Sequence, residues 1–110
     1  MIGKVSSIDG LGGSDNAAAE AVSFLKILSH EARLQILCLL LDRDMSVGEL
    51  AATLGLSQPT ASQQLMRLRA EGYLGTRRTG KAVVYHLLRP DVKPVIAVLR
   101  TTFCPTENGK

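Results

Sequence analysis

The stretch SVGELAATLGLSQPTASQQLMRLRAEG, residues 46–72, decides the fold. Ser46 followed three residues later by Glu49 is the capping-box spacing that opens a helix. Leu50, Ala51 and Leu54 continue it, and Gly55 stops it, because glycine takes the left-handed backbone without a Cβ penalty. Leu56 fills the corner beneath. Ser57 then reads as a second N-cap, with Pro59 in the first turn, where a missing N–H costs nothing. That helix is expected to run to about Glu71, with Gly72 closing it. Two helices joined through a glycine-centred turn make a helix-turn-helix.

On the N-terminal side, Asn16 reads as the cap of a helix over 17–28, with Ala18, Ala21, Val22, Leu25 and Leu28 at helical spacing. Ser29 reads as the cap of a second helix, about 31–41, whose expected buried stripe is Leu34, Leu37, Cys38 and Leu41. Asp42-Arg43-Asp44 ends it as a polar turn. On the C-terminal side the period shortens to two. Thr76-Arg77-Arg78 and the run from Ala82 to Leu87 flank Thr79-Gly80-Lys81, a hairpin signature in which Val83, Tyr85 and Leu87 share the inward face. Pro90-Asp91 begins a last helix with the stripe Val92, Val95, Ile96, Leu99 and Phe103, and Pro105 ends it. The expected class is mainly α with a β-hairpin wing, a winged helix-turn-helix of five helices with two strands between the fourth and fifth. Residues 1–16 read as a flexible N-terminal arm, 17–104 as the folded domain and 105–110 as a C-terminal tail.

Composition agrees with one small helical domain. The chain has 110 residues and is 45% apolar, yet it holds two Phe, two Tyr and no Trp, so the core must be aliphatic. A domain this short folds marginally by itself, and dimerisation is a common remedy. The net charge of +3 is unevenly spread: residues 1–66 carry four Lys/Arg against seven Asp/Glu, whereas 67–100 carry eight against two. That polarity suits a polyanion-binding half joined to a half with another task. The longest apolar run, Ile36 to Leu41, is far too short to span a bilayer. A cytoplasmic setting is expected, with both cysteines starting as thiols.

On a wheel of the 58–71 helix, Ala61, Leu65, Leu68 and Gly72 mark the core side. Pro59, Thr60, Ser62, Gln63 and Arg67 fall on or beside the opposite side. Small polar groups let a helix enter a major groove; Gln pairs with adenine edges, and hydroxyls pair with bases or phosphates. Ser57 and Gln58 stand at the amino end, where unpaired N–H groups favour a phosphate. Arg77, Arg78 and Lys81 on the hairpin would follow the flanking backbone or minor groove. A catalytic reading finds no Cys-x-x-Cys, no phosphate-cradling glycine motif and no nucleophile–base set; Asp42, Asp44 and Glu49 read as turn and cap residues.

The run Leu25-Lys26-Ile27-Leu28-Ser29-His30-Glu31-Ala32-Arg33-Leu34-Gln35-Ile36-Leu37 resembles the entry segment of the ArsR/SmtB repressors. So do Ser46 to Ala51, Leu56-Ser57-Gln58 through Leu65, and the strand ending Val84-Tyr85-His86-Leu87. The resemblance implies dimerisation through the first and last helices, with Val22, Leu25, Val95, Ile96, Leu99 and Phe103 at the interface. It also implies a near-palindromic double-stranded operator, released when an inducer arrives. The family's metal sites do not carry over: Ala51, Ala52 and Thr53 stand where one needs cysteines, and Asp91 lacks the histidines of the other. With His30 reading as a helix-entry residue and His86 as a strand residue, no metal and no cofactor is expected.

Cys38 and Cys104 are the remaining chemistry. In the fold implied by the resemblance, the second helix and the end of the last pack side by side. The segments Ile36 to Asp42 and Phe103-Cys104 resemble the sulfide-responsive branch of that family. The likeness implies that low-molecular-weight persulfides, as inducer, join the two cysteines within one subunit through a polysulfide bridge, here a tetrasulfide. A general oxidant sensor forming a Cys38–Cys104 disulfide and a thiol-based arsenite or metal sensor stand as alternatives.

Overall fold

The computed structural model describes residues 16–103, and the chain divides into two compact units, one through His30 and one from Glu31. In the first unit, helix α1 spans Ala17–Leu28. Asn16 stands at its N-terminus but makes no side-chain cap; its carbonyl accepts from the N–H of Glu20 instead. Phe24 and Ile27 are the buried residues. The stripe read from the sequence is thus the open side of the helix, with Val22 and Leu25 about half exposed at 49% and 58%. The Ser29 hydroxyl donates back to the carbonyl of Lys26 at 2.6 Å, closing α1.

The second unit begins with α2, Glu31–Leu40. Its buried residues are Ala32, Ile36, Leu37 and Leu40, so the face differs from the expected stripe and Cys38 is only half-buried. From Ile36 to Leu41 the segment is apolar all round, so periodicity there does not select a face; packing against the rest of the unit does.

After the Asp42-Arg43-Asp44 turn comes a strand that the sequence pattern did not reveal, β1, Met45–Ser46. It leads directly into α3, Val47–Leu54, and α4 follows at Gln58–Ala70. Strands β2, Leu74–Thr79, and β3, Ala82–Leu87, form the wing. The sheet is antiparallel in the order β1-β3-β2, with Met45 opposite Tyr85, Ser46 opposite Val84 and Thr79 opposite Ala82. The wing therefore has three strands at its base and two at its tip. That explains Val83, expected inward but 39% exposed: it lies beyond the reach of β1. Pro90–Val92 form a 3-10 turn before α5, Lys93–Phe103.

The core of this unit is aliphatic as expected. Ile36, Leu37, Leu50, Leu65, Leu68, Leu74 and Ile96 are among its largest fully buried side chains, and α2 lies against α3, α4 and α5. Where the wing returns to α5, the Leu88 N–H donates to the Tyr73 carbonyl at 3.0 Å. The Arg89 guanidinium sits 5.1 Å from the centre of the buried Tyr73 ring and grips both oxygens of Asp91. This pairing holds the Asp91 carboxyl below, and the Arg89 guanidinium above, its ordinary pKa. No helix among the described residues is long and apolar enough to cross a membrane.

The capping box forms as read. Ser46 Oγ accepts from the Glu49 N–H at 3.1 Å, and the Glu49 carboxylate accepts from the Ser46 N–H at 3.0 Å. That second bond, chiefly, holds the Glu49 carboxyl below its usual pKa. Because the folded value is lowered, the contribution is present above the ordinary carboxylate range and fades as acid protonates Glu49. Ser46→Ala should destabilise the protein by about 1 kcal/mol, measured as a lower denaturant midpoint at unchanged slope.

Candidate nucleic-acid interface and cysteine pocket

The turn between α3 and α4 positions the reading helix. Gly55 adopts φ +69°, and its N–H returns to the carbonyls of Ala51 and Ala52, while the Leu56 N–H reaches Ala51 at 2.9 Å. Ser57 caps α4, accepting from the Thr60 N–H at 3.2 Å and donating to Thr60 Oγ1 at 2.9 Å. Gln58 leans toward α3: its Nε2 lies 3.5 Å from where a Cβ on Gly48 would stand. Ala61, Leu65 and Leu68 are completely buried, as the wheel requires. Gly72 is not part of that face; it lies beyond the helix end at φ +87° and is exposed. Arg33 on α2 donates to Gln64 at 3.2 Å, tying the flank of α4 down.

What remains outward is a shallow depression of about 450 Å³, lined by Pro59, Thr60, Ser62, Gln63 and Met66. Four of these were candidates from sequence. Met66 was not, although it is 66% exposed and central to the face; the wheel contained that signal.

The cations divide into two kinds. Arg67 pairs with Glu71 at 3.4 Å, one turn along α4. Arg77 on β2 pairs with Asp44 in the loop before β1. Arg78 and Lys81 are exposed at the wing tip, and neither has an ion-pair partner among the described residues. His86 lies across from Gly75, so close that a Cβ there would stand 2.9 Å from its Nε2. His30 is exposed in the bend after α1. Among the described residues, no group of three or more His, Cys, Asp or Glu is placed to hold a metal.

A second site lies between α2, α3 and α5. Cys38 lines a cavity of about 300 Å³ with Leu34, Leu39, Leu54, Leu99 and Phe103, so its walls are almost wholly apolar. Arg100 closes one side, donating to the Cys38 carbonyl at 3.3 Å and to the Asp42 carboxylate at 2.9 Å. Sequence reading missed this clamp, since nothing local links residues 58 positions apart. Cys104 lies outside the described residues. Of the expected dimer-face residues, Val22, Leu25, Val95 and Phe103 are exposed and Leu99 is half-buried. Ile96 is completely buried within the chain and belongs to its interior. Val98, not singled out from sequence, is 62% exposed beside Val95.

Residues 30–75 match the family model described as the bacterial regulatory protein, arsR family. The transcriptional activator HlyU of Vibrio cholerae is 46% identical over 87 residues, covering 79% of this chain and 81% of that protein. Its solved structure superposes with a TM-score of 0.77 at 44% identity, covering 83% of this chain and 99% of that one. The biofilm growth-associated repressor of Xylella fastidiosa is 41% identical over 93 residues, covering 84% and 82%. The crystal structure of that organism's repressor BigR gives a TM-score of 0.75 at 41% identity over 82% and 92% of the two chains. A homodimeric winged helix-turn-helix DNA-binding domain from Mycobacterium bovis gives 0.66 at 32% identity, covering 83% and 87%.

Two substitutions separate the two kinds of cation on duplex DNA. Arg78→Ala should weaken binding evenly across sequences and flatten the log–log salt dependence by about one unit per protomer. Asp44→Asn releases Arg77 and should do the opposite, tightening binding and steepening the slope by a similar amount. Titrations at several salt concentrations read both.

Proposed function

The chain belongs to the arsR family of bacterial regulatory proteins, and from that premise we propose that it is a homodimeric repressor whose grip on operator DNA is broken by persulfides. In this reading α4 enters the major groove with Thr60, Ser62 and Gln63 toward base edges. Ser57, Gln58 and Arg67 serve the backbone, and Arg77, Arg78 and Lys81 carry the wing along the flanking phosphates. Val22 and Leu25 on α1, and separately Val95, Leu99 and Phe103 on α5, are the side chains that face a partner in this reading; a partner would cover apolar groups that a lone protomer leaves to water.

The observation that supports the sensing half is the cavity beside Cys38. Phe103, the residue before Cys104 in the chain, lines the same apolar space as Cys38. The chemistry proceeds by displacement. The thiolate of one cysteine attacks the outer sulfur of a persulfide RSSH, giving Cys–S–SH as RS⁻ leaves. Further donors extend that chain in the same way. The second cysteine's thiolate then attacks the chain and expels hydrosulfide, which closes the polysulfide bridge without any external oxidant. An ordinary disulfide needs Cα atoms within about 7 Å, whereas inserted sulfur atoms span more. Thiols held just beyond that reach accept persulfides and resist peroxide. Bridging displaces α5 against α2, and in a dimer built on α5 this changes the spacing of the two reading helices.

Treatment with glutathione persulfide should release operator DNA and add sulfur mass to an intramolecular Cys38–Cys104 link, read by mass spectrometry. Cys38→Ser should bind DNA normally and no longer be released. Release of that variant by persulfide overturns the sensing assignment. Efficient formation of a plain disulfide by peroxide identifies a general oxidant sensor instead.

A further inference from the structure

The outward face of α4 is not uniformly polar. At about 100° per residue, Pro59 and Met66, seven positions apart, differ in direction by only about 20°. Ser62 and Gln63 lie between them, on either side of that line. Each of the four lines the same depression. Met66 is 66% exposed, among the most solvent-accessible large apolar side chains described. It stands directly opposite a completely buried seam, so neither rotation of the helix nor local packing hides it.

A flexible thioether beside an amide is the chemistry of one base pair. In the major groove, adenine offers N7 and the N6 amino group, which suit a Gln amide, while its partner thymine offers a C5 methyl group. Guanine–cytosine pairs lack that methyl. Gln63 and Met66 are three residues apart on one helical face, and neighbours at that spacing lie about 5–6 Å from one another.

We propose that Met66 is a specificity-determining residue that packs on a thymine methyl, next to an adenine edge read by Gln63. The inference rests on the DNA-reading role of α4 proposed above and adds to it an apolar contact that selects thymine. Burying one methyl group corresponds to about a fourfold change in affinity.

The test uses the full chain. Short duplexes are selected from a random-sequence pool by the wild-type protein, and each thymine of the winning site is replaced singly by deoxyuridine, which removes the methyl group alone. Wild type should lose about fourfold at one thymine position per half-site. Met66→Ala should bind the thymine duplex about fourfold more weakly and show no further loss on uracil. Met66→Leu, which keeps an apolar side chain, should retain the uracil penalty. Sequence-selective binding whose uracil penalties are identical in wild type and Met66→Ala overturns the Met66 assignment while leaving the role of α4 intact. Loss of self-association in Met66→Ala with unchanged uracil penalties does the same and assigns the residue to a protein contact. Absence of any salt-dependent duplex binding overturns the DNA reading itself, and this inference with it.

Discussion

The burial of Ala61, Leu65 and Leu68 is the constraint on which the remaining structure turns. These three side chains leave no solvent-accessible surface, and they fix the rotation of α4 about its own axis. A helix rotated by one residue would expose Leu65 and bury Met66 or Gln64, at a cost of several kcal/mol for each large side chain misplaced. The face with Pro59, Thr60, Ser62, Gln63 and Met66 is therefore outward by exclusion, and its chemistry follows from where the core is.

Segments with local signals were legible in the sequence. Ser46 with Glu49, Gly55, and Ser57 with Pro59 each act within one helical turn, and each does in the structure what its residue type demands. The five helices and the wing hairpin were readable for the same reason. Three features were hidden. Cys38 sits in the unbroken apolar run Ile36 to Leu41, where no polar residue marks the outer side, so only tertiary packing reveals that it is half-buried. Strand β1 is two residues long and exists through its pairing with β3, some forty residues on, which no window along the chain detects. The return of the Ser29 hydroxyl to the Lys26 carbonyl was the third, because a serine between two helices signals either end.

The candidate sites divide along the same line. The outward positions of α4 follow from a helical wheel, and Met66 was present in that wheel. The partners of the cations were not: Asp44 reaches Arg77 across the sheet base, and Arg100 reaches Asp42 from another helix. Such exposed pairs add little stability, about 0–1 kcal/mol each. Their weight is in placement. Arg100 joins α5 to the end of α2 at the Cys38 carbonyl, so the helix with the open apolar side chains and the helix with the cysteine are coupled at one residue.

Ser46 has two roles at once: it pairs with Val84 in the sheet, and its hydroxyl opens α3. No residue intervenes between the wing's edge strand and the helix-turn-helix, so there is nothing between them to act as a hinge. The base of the wing and the start of α3 are thus set at one separation, like the jaws of a gauge. On the proposed reading, a binding site with a base pair inserted between the segment facing α4 and the flank facing the wing satisfies one or the other, never both together.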